Sequence, residues 1–425
     1  MKKNSLRGLK EVLTDRELKN VLGGSGGSDC KAAKYMKRLN ILHCASLFSC
    51  FSLLFFACNK NVATQSSDII SIDVVKNYPK HEAISIQDIA EVEYIPLETN
   101  NEFLCSGKAK VMYADTNYIL VNNQDNGEIL VFDSSGHPIS KVNKKGQGPD
   151  EYLSTANAIF DKDYEELYIY DTGKGILVYD LSGSFKRIIL PSFVKEINRY
   201  SNIYNFDKEH LLFYYENQDN IEYVIELFLI SKQTGEVRNK KSFSFEKKLV
   251  EYLQTELSNE MYSFLGNLKY VSNNNKHAYL NLLADTIYKI TPNFTLEPIM
   301  VRTPSIQNLV SNFLVIDADT ENYRFMTLTK NGANFSSTAL VLNKQTGKIS
   351  EQSLYNSDDV LRTPVKFGPK PTDIQSVENN QYYCFLQPFQ LKEAYEQGNL
   401  RNEPKAIASK IEEDENPIVM LVRFK

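Results

Sequence analysis

Short apolar runs, each followed by a polar turn, recur through residues 105–350. The turns carry a Gly or Asn, residues that tolerate the positive φ of tight hairpins. From Gly136 through Gly183, Gly235 and Asn293 to Gly347, the intervals are 47, 52, 58 and 54 residues. Such spacing is close to the roughly 40–50 residues of a propeller blade. The pattern therefore predicts a repeated β unit.

Each unit contains apolar runs with the length and composition of β-strands. The runs directly before the turns are Ile129–Phe132, Ile176–Tyr179, Leu227–Ile230, Ile287–Ile290 and Ala339–Leu342. Two further runs precede each of these, Leu268–Val271 being the first run of the fourth unit, and one segment follows each turn. Four strands per unit is the composition of a propeller blade.

A sixth unit is visible near the end of the sequence, but it has only three strands. They are Ile374–Val377, Tyr382–Phe385 and Ile418–Leu421. The strand Val92–Leu97 belongs to no unit, so we expect it to complete the last blade and close the ring. Residues 84–425 are thus predicted to form an all-β, six-bladed β-propeller with four-stranded blades. An open β-sandwich or two β domains is the alternative.

Two segments interrupt this rhythm. Leu249–Phe264 and Gln390–Ile411 carry Glu, Lys, Leu and Ala at helical spacing. They predict short helical insertions on the rim of the propeller.

The N-terminal region contains a secretory signal. Lys37 and Arg38 precede an uncharged run from Ile41 to Ala57, and Cys58 follows. This arrangement resembles a lipoprotein signal peptide at residues 36–57, with lipidation of Cys58 and a tether at residues 58–83. A true membrane anchor, which needs about 20 apolar residues, is the alternative. Asn59 and Lys60 after the cysteine favour the outer membrane and its periplasmic face.

Residues 1–35 carry a second kind of export signal. Thr14 and Glu17 form a capping box for a short amphipathic helix that Gly23 and Gly24 end. The segment resembles the double-glycine leaders of bacteriocin and natural-product precursors, which are cleaved after the second glycine. Two signals in series rarely serve one product. We therefore hypothesise that translation starts at Met36 and that residues 1–35 belong to a neighbouring reading frame.

Three short motifs in the predicted propeller are the basis for a family resemblance. They are Tyr94–Glu98, Lys145–Tyr152 and Asn416–Lys425. The chain from about Ile84 onwards resembles, in these motifs, the six-bladed β-propeller lipoproteins of Bacteroidota, which are similar to NHL-repeat propellers. That resemblance implies a fold and no particular reaction.

The net charge and the search for catalytic and metal-binding motifs narrow the range of possible functions. Residues 58–425 hold 38 Lys and Arg against 49 Asp and Glu, so a nucleic-acid partner is not expected. No catalytic or metal motif is evident among the histidines, and the cofactor is unknown. Gly146–Pro149 is predicted to be a turn between blades, since no helix or Gly-Lys-Ser/Thr ending follows. The Asp and Glu residues at 161–166 and 412–415 are interpreted as solvated.

Other side chains are assigned to packing. The pairs Tyr168 and Tyr170, Phe213 and Tyr215, and Tyr383 and Phe385 occupy alternate strand positions, which favours packing between blades over stacking on sugars. Cys105 and Cys384 are predicted to be buried thiols, with a disulfide as the alternative.

Our leading hypothesis is a membrane-anchored binding or scaffold propeller for an unidentified glycan, peptide or protein. A metal-dependent hydrolase or lyase with an axial ion is the alternative. Three or more axial Asp, Glu or Asn side chains at one point would favour the enzyme, and a mixed or apolar channel would favour binding.

Overall fold

Strands account for most of the regular structure. A computed structural model describes residues 69–193, 201–218, 222–246, 278–280, 285–306, 312–330, 336–368, 370–377 and 381–425. These residues form 27 strands and three short helices, so the all-β prediction is confirmed.

The first three strands join three different sheets. They are β1 (Ile70–Asp73), β2 (Ile84–Ser85) and β3 (Ala90–Pro96), and helix α1 (Ile86–Ile89) lies between the second and the third. The other strands of each of those sheets come from much later in the sequence.

The next twelve strands form three antiparallel sheets in chain order. Sheet one consists of β4 (Lys110–Ala114), β5 (Tyr118–Asn123), β6 (Glu128–Asp133) and β7 (Pro138–Val142). Sheet two consists of β8 (Ala158–Asp161), β9 (Glu166–Asp171), β10 (Gly175–Asp180) and β11 (Phe185–Ile189). Sheet three consists of β12 (Ser201–Asn205), β13 (His210–Gln218), β14 (Glu222–Ser231) and β15 (Val237–Glu246).

The remaining strands form three further four-stranded sheets and a small one. Sheet four consists of β16 (Ala278–Leu280), β17 (Thr286–Ile290), β18 (Leu296–Thr303) and β1. Sheet five consists of β19 (Asn312–Asp319), β20 (Tyr323–Lys330), β21 (Ser336–Asn343) and β22 (Lys348–Glu351). The small sheet consists of β23 (Leu354–Tyr355), β24 (Pro364–Val365) and β2. Sheet six consists of β25 (Gln375–Val377), β26 (Gln381–Leu386), β27 (Ile418–Phe424) and β3.

The described residues therefore form seven sheets where the sequence predicts six blades, and the predicted count is wrong. The additional sheet arises because the connection after β22 pairs with β2. Its strands have two residues each, too short for a periodic apolar pattern to show in the sequence. Leu354 of this sheet packs in the cluster between sheets five and six.

The predicted closure by the N-terminal strand is confirmed. β3 pairs antiparallel with β27 over seven residue pairs, from Ile418 opposite Pro96 to Phe424 opposite Ala90. Buried Asn416 reinforces the closure: its Nδ2 donates to the carbonyls of Glu98 and Phe103 at 3.0 and 2.7 Å, and its Oδ1 accepts from the N–H of Cys105 at 2.8 Å. Two of the motifs behind the family resemblance, Tyr94–Glu98 and Asn416–Lys425, thus meet in one sheet.

A second N-terminal strand lies within residues 58–83, which the sequence assigns to a tether. β1 pairs in parallel with β18, from Ile70 opposite Met300 to Asp73 opposite Thr303, and supplies the fourth strand of sheet four. Ile72 is fully buried in the cluster between sheets four and five. The tether interpretation therefore does not extend to Ile70–Asp73.

The hairpin turns follow the prediction at four of five positions. Gly136, Gly183, Gly235 and Gly347 have φ between +67° and +89°, the left-handed region that glycine tolerates. At the turn containing Pro292 and Asn293, the residue with positive φ is Phe294, at +57°. The buried Phe294 ring contacts Phe206 edge to face with centroids 5.9 Å apart, and so joins sheet four to sheet three.

Apolar clusters fill the other seams between neighbouring four-stranded sheets. Separate clusters lie between sheets one and two, two and three, four and five, five and six, and six and one. Every sheet therefore contacts the sheets on both sides, which is a propeller arrangement.

The seam between sheets two and three also holds buried charges. Lys232 Nζ lies 2.6 Å from Asp161 Oδ2, and both side chains are almost inaccessible to solvent. Arg187 donates to both carboxylate oxygens of Glu166 at 2.9 and 2.8 Å, and Lys186 lies 3.0 Å from Glu166. The prediction that the carboxylates at 161–166 are solvated is wrong for Asp161 and Glu166, because both lie at the ends of strands that face this seam. It is confirmed for Glu412–Glu415, which are exposed.

Two helices, α2 (Pro388–Glu396) and α3 (Asn402–Ala408), lie between β26 and β27. They confirm the insertion predicted at Gln390–Ile411. The insertion predicted at Leu249–Phe264 and the strand predicted at Leu268–Val271 lie outside the described residues.

Candidate functional site

The first strands of four sheets lie at the centre of the ring. β4 contacts β8 and β25, and β8 contacts β12, although these strands belong to four different sheets. In a propeller the inner strands of neighbouring blades lie side by side around a central channel. These four strands surround a cavity of about 370 Å³.

The wall of the cavity carries polar side chains that are mostly uncharged. The polar groups include Lys110, Asn122, Gln124, Asn205, Gln375 and Ser376. Amides and hydroxyls of this kind both donate and accept hydrogen bonds, so they suit ligands rich in hydroxyl or amide groups.

Small and apolar residues complete the wall and leave room for a ligand. Ala156, Ala158 and Ile159 lie at the start of sheet two, and Met112 lies on β4. The pairing of β4 with β5 shifts register between Val111 and Tyr113, so Met112 is an extra residue without a partner. A bulge at this point aims a side chain that regular alternation would have placed elsewhere.

The described residues of the cavity wall carry a single positive charge. Lys110 is the one charged residue, and no Asp or Glu is present, among the described residues of the wall. Within the described part of the chain, no group of three or more His, Cys, Asp or Glu could hold a metal ion. The described wall contains two Asn side chains, Asn122 and Asn205, which is fewer than the three Asp, Glu or Asn side chains that would favour an enzyme, and its lining is mixed.

The glycine-rich motif at Lys145–Tyr152 forms a connection between sheets one and two, as predicted. Glu151 Oε2 accepts the N–H of Gly148 at 2.7 Å, and a Cβ on Gly146 would collide with the same carboxylate. Buried Tyr152 donates to the carbonyl of Gly127 at 3.0 Å. The carboxylate of the chain itself occupies the place where a phosphate loop would bind an anion.

A second connection repeats this arrangement before sheet six. Lys366, Gly368 and Asp373 have the same spacing as Lys144, Gly146 and Glu151, and a Cβ on Gly368 would collide with Asp373. In both connections the glycine N–H donates to a carbonyl six residues later, at 2.9 Å for Gly146 and 3.2 Å for Gly368. The repeat could have been found by comparing the two segments in the sequence.

The aromatic pairs pack between sheets, as predicted. Tyr168, Tyr170, Phe213 and Tyr215 belong to one buried cluster, and the rings of Tyr170 and Phe213 meet edge to face with centroids 5.1 Å apart. Tyr383 and Phe385 are buried in the cluster between sheets six and one. Tyr383 also borders the axial cavity.

Cys105 and Cys384 are free thiols, as predicted; Cys384 is buried, whereas Cys105 is half-buried. Burial raises the pKa of each thiol to about 12, with a smaller contribution from Glu128 at Cys105 and from Asp373 at Cys384. Such thiols are poor nucleophiles at neutral pH.

The site residues predicted from the N-terminal region, Gly23, Gly24 and Cys58, lie outside the described residues. Sequence reasoning did not identify the residues that line the cavity. Polar residues at the start of the first strand of each unit were the available signal, but strand ends and loops are commonly polar. Over the part of the chain that is described, no helix has the length and apolar character needed to cross a membrane.

Comparisons with known proteins identify a family and similar structures. A family model described as "Domain of unknown function (DUF4934)" matches residues 69–423. A protein of Bacteroides fragilis NCTC 9343 that is described as exported has a similar structure, with a TM-score of 0.53, 15% identity, and coverage of 84% of this chain and 99% of its own. A DUF4221 family member from Bacteroides vulgatus gives a TM-score of 0.42 at 9% identity, covering 80% of this chain and 99% of its own. No curated protein matches the sequence.

Proposed function

This chain belongs to the family described as a domain of unknown function, DUF4934, and we propose that it is an exported binding protein whose ligand occupies the axial cavity. The observation that carries the proposal is the cavity of about 370 Å³ enclosed by the first strands of four sheets. Small-ligand pockets commonly have volumes of roughly 300–1,000 Å³ and a few convergent polar groups.

The character of the wall supports binding over metal-assisted hydrolysis. Amide side chains such as Asn122, Gln124 and Gln375 hold a ligand by hydrogen bonds, but they neither donate nor accept protons as general acids or bases. The cavity has the size of a sugar or the end of a peptide. We therefore favour a glycan or peptide ligand over a protein surface.

The proposal places the protein at the outer membrane, on its periplasmic face, with a lipid on Cys58 as the anchor. Support comes from the signal at residues 36–57 and from the similar fold of the Bacteroides fragilis protein that is described as exported. A Cys58→Ser variant is expected to leave the membrane fraction, and protease added to intact cells should spare the wild-type protein. Retention of the variant in the membrane, or digestion from outside, would contradict this placement.

The hypothesis that residues 1–35 belong to another reading frame is tested on the same wild-type protein. We propose that translation starts at Met36, so that the precursor of the exported protein contains none of residues 1–35. N-terminal mass spectrometry that finds a product cleaved between Gly24 and Ser25 would contradict this.

The binding proposal is tested by filling the cavity. Ala156 is exposed to the cavity and lies outside the strands, so Ala156→Trp should block ligand entry with little effect on folding. Ala406→Trp, on an exposed position of α3, is the matched control. A library of sugars and short peptides is screened by thermal shift and then by calorimetry. Ligands that bind the wild-type and the control are expected to lose at least tenfold in affinity with Ala156→Trp, and equal binding to all three proteins would reject the cavity as the site.

A further inference from the structure

Two residues of the cavity wall, Lys110 and Asn122, have a polar group for which the described residues provide no partner. Lys110 on β4 lies directly opposite Asn122 on β5 in the register of the two strands. Residues opposite each other in an antiparallel pair point to the same face, with Cβ atoms about 4.5–5.5 Å apart. Lys110 and Asn122 therefore act on the same part of the cavity.

Lys110 has no ionic partner among the described residues, and none of the described wall residues is an acid. Several other lysines in half-buried or buried places have an anion or a carbonyl beside them: Lys232 pairs with Asp161, Lys344 pairs with Asp319, and Lys174 donates to the carbonyl of Gly148. A cation that is partly removed from water gains most from a negatively charged ligand.

The side-chain amide of Asn122 has a hydrogen-bond partner at its nitrogen and none among the described residues at its oxygen. Its Nδ2 donates to the carbonyl of Thr155 at 2.6 Å, which fixes the orientation of the amide. Its Oδ1 is buried and has no hydrogen-bond partner among the described residues, and the residue as a whole is only 4% exposed. A buried acceptor without a donor is rare in folded proteins, and a hydroxyl group of a molecule bound in the cavity would supply the missing donor.

From this pair we infer that the cavity binds an acidic sugar of the hexuronate type, with its carboxylate on Lys110 and a ring hydroxyl donating to Asn122 Oδ1. The inference rests on the proposed function, because it assigns a ligand class to the same cavity. Gln124, Gln375 and Ser376 provide the additional donors and acceptors that a ring with several hydroxyls requires.

Charge balance distinguishes this ligand from two others. A phosphorylated sugar carries about −1.5 to −2 charges at pH 7, more than one lysine neutralises. An amino acid or peptide terminus with a free ammonium would need an anion, which the described wall does not offer. A monocarboxylate with hydroxyls satisfies both Lys110 and the amides.

The test uses calorimetry on the full chain with D-glucuronate and D-galacturonate, and with D-glucose and D-galactose as their uncharged counterparts. Lys110→Met keeps an unbranched side chain, one atom shorter, and removes its charge. Lys108→Met is the matched control, since Lys108 is exposed and pairs with Asp125 at 3.2 Å outside the cavity. Thermal melts confirm that each variant is folded.

We expect at least one uronate to bind the wild-type protein tenfold or more tightly than its neutral counterpart. Lys110→Met should remove that preference, and Lys108→Met should retain it. Failure of both uronates to bind the folded protein, equal affinity for acidic and neutral sugars, or a preference that survives in Lys110→Met would each overturn the inference. If some other ligand binds and Ala156→Trp abolishes its binding, the cavity remains the binding site and only the ligand class is wrong.

Discussion

Two lysines in different regions of the ring differ in their partners, and we relate one to stability and the other to ligand binding. Lys232 lies in the seam between sheets two and three, fully buried, with Asp161 at 2.6 Å and the carbonyl of Asp207 at 2.6 Å. Lys110 lies at the axis, half-buried, with no counter-charge from the described chain. The chain itself neutralises the charge of Lys232 in the seam, whereas the described part of the axial wall provides no counter-charge for Lys110.

The largest effect is expected from breaking the seam. Lys232→Ala would leave Asp161 as a buried charge without compensation, which costs about 3–5 kcal/mol of unfolding free energy. Urea denaturation measures it, with Lys108→Ala as the exposed control expected to cost under about 1 kcal/mol. Replacing both partners, as Lys232→Met with Asp161→Leu, should recover much of the loss. A cost for Lys232→Ala as small as that of the control would show that the seam does not depend on this pair.

A smaller loss is expected where the ring closes. Asn416→Ala removes the acceptor for the N–H of Cys105 and the donor to the carbonyls of Glu98 and Phe103, all at the junction of sheets six and one. The unsatisfied backbone groups should cost about 1–3 kcal/mol. The same denaturation experiment applies, with Asn293→Ala at an exposed turn as control. Equal stability of the two variants would mean that the strand pairing of β3 with β27 suffices for closure.

A pH-dependent effect is expected at Glu166. Burial acts to raise the pKa of this carboxyl, but hydrogen bonds from Arg187, Lys186 and Tyr168 outweigh it and lower the pKa from the usual 4.5 to about 2. The native state therefore favours the ionised form, and its contribution to stability is complete above pH 4.5 and is lost as the pH falls towards 2.

Glu166→Gln tests that pH dependence. The wild-type protein should be more stable than the variant above pH 4.5, and the difference should shrink between pH 4.5 and 2 in denaturation curves measured at several pH values. A difference that stays constant over this range would indicate that the loss comes from packing and not from ionisation.

The smallest effect is expected at the axis. Lys110→Ala removes a side chain that has no ionic partner, so the change in unfolding free energy should stay within about 0.5 kcal/mol. The contrast with Lys232→Ala is the direct test of the comparison between seam and axis. A loss above about 2 kcal/mol at Lys110 would show that the chain satisfies this lysine internally, and the argument for an anionic ligand would fail.

Much of the architecture was predictable because it depends on local signals. The apolar runs of β5, β6, β9 and β10 and the glycines at the turns are signals that extend over only a few residues. The pairing of β3 with the last sheet was also predictable, since a blade with three strands and an unassigned strand complement each other. The small sheet and the pairing of β1 with β18 could not be predicted, because their strands are two to four residues long and their partners lie more than 200 residues away.

The candidate site was less predictable for a related reason. Lys110, Asn122 and Gln375 come from strands that are distant in the sequence, and nothing in their local surroundings distinguishes them from other polar residues at strand ends. Asp161 and Glu166 show the opposite case. They belong to a cluster of acids whose composition is typical of solvent-exposed positions, yet these two are buried, because Lys232 and Arg187 from elsewhere in the chain neutralise them.

The sequence by itself determined the β class, the repeated four-stranded units, the positive-φ glycine turns and the strand that closes the ring, because each is encoded in spacing or in local backbone preference. Only the tertiary structure decided the number of sheets, the fate of the charged residues and the composition of the axial wall. Those properties depend on which side chains from distant strands meet, and on whether water or another side chain satisfies each polar group.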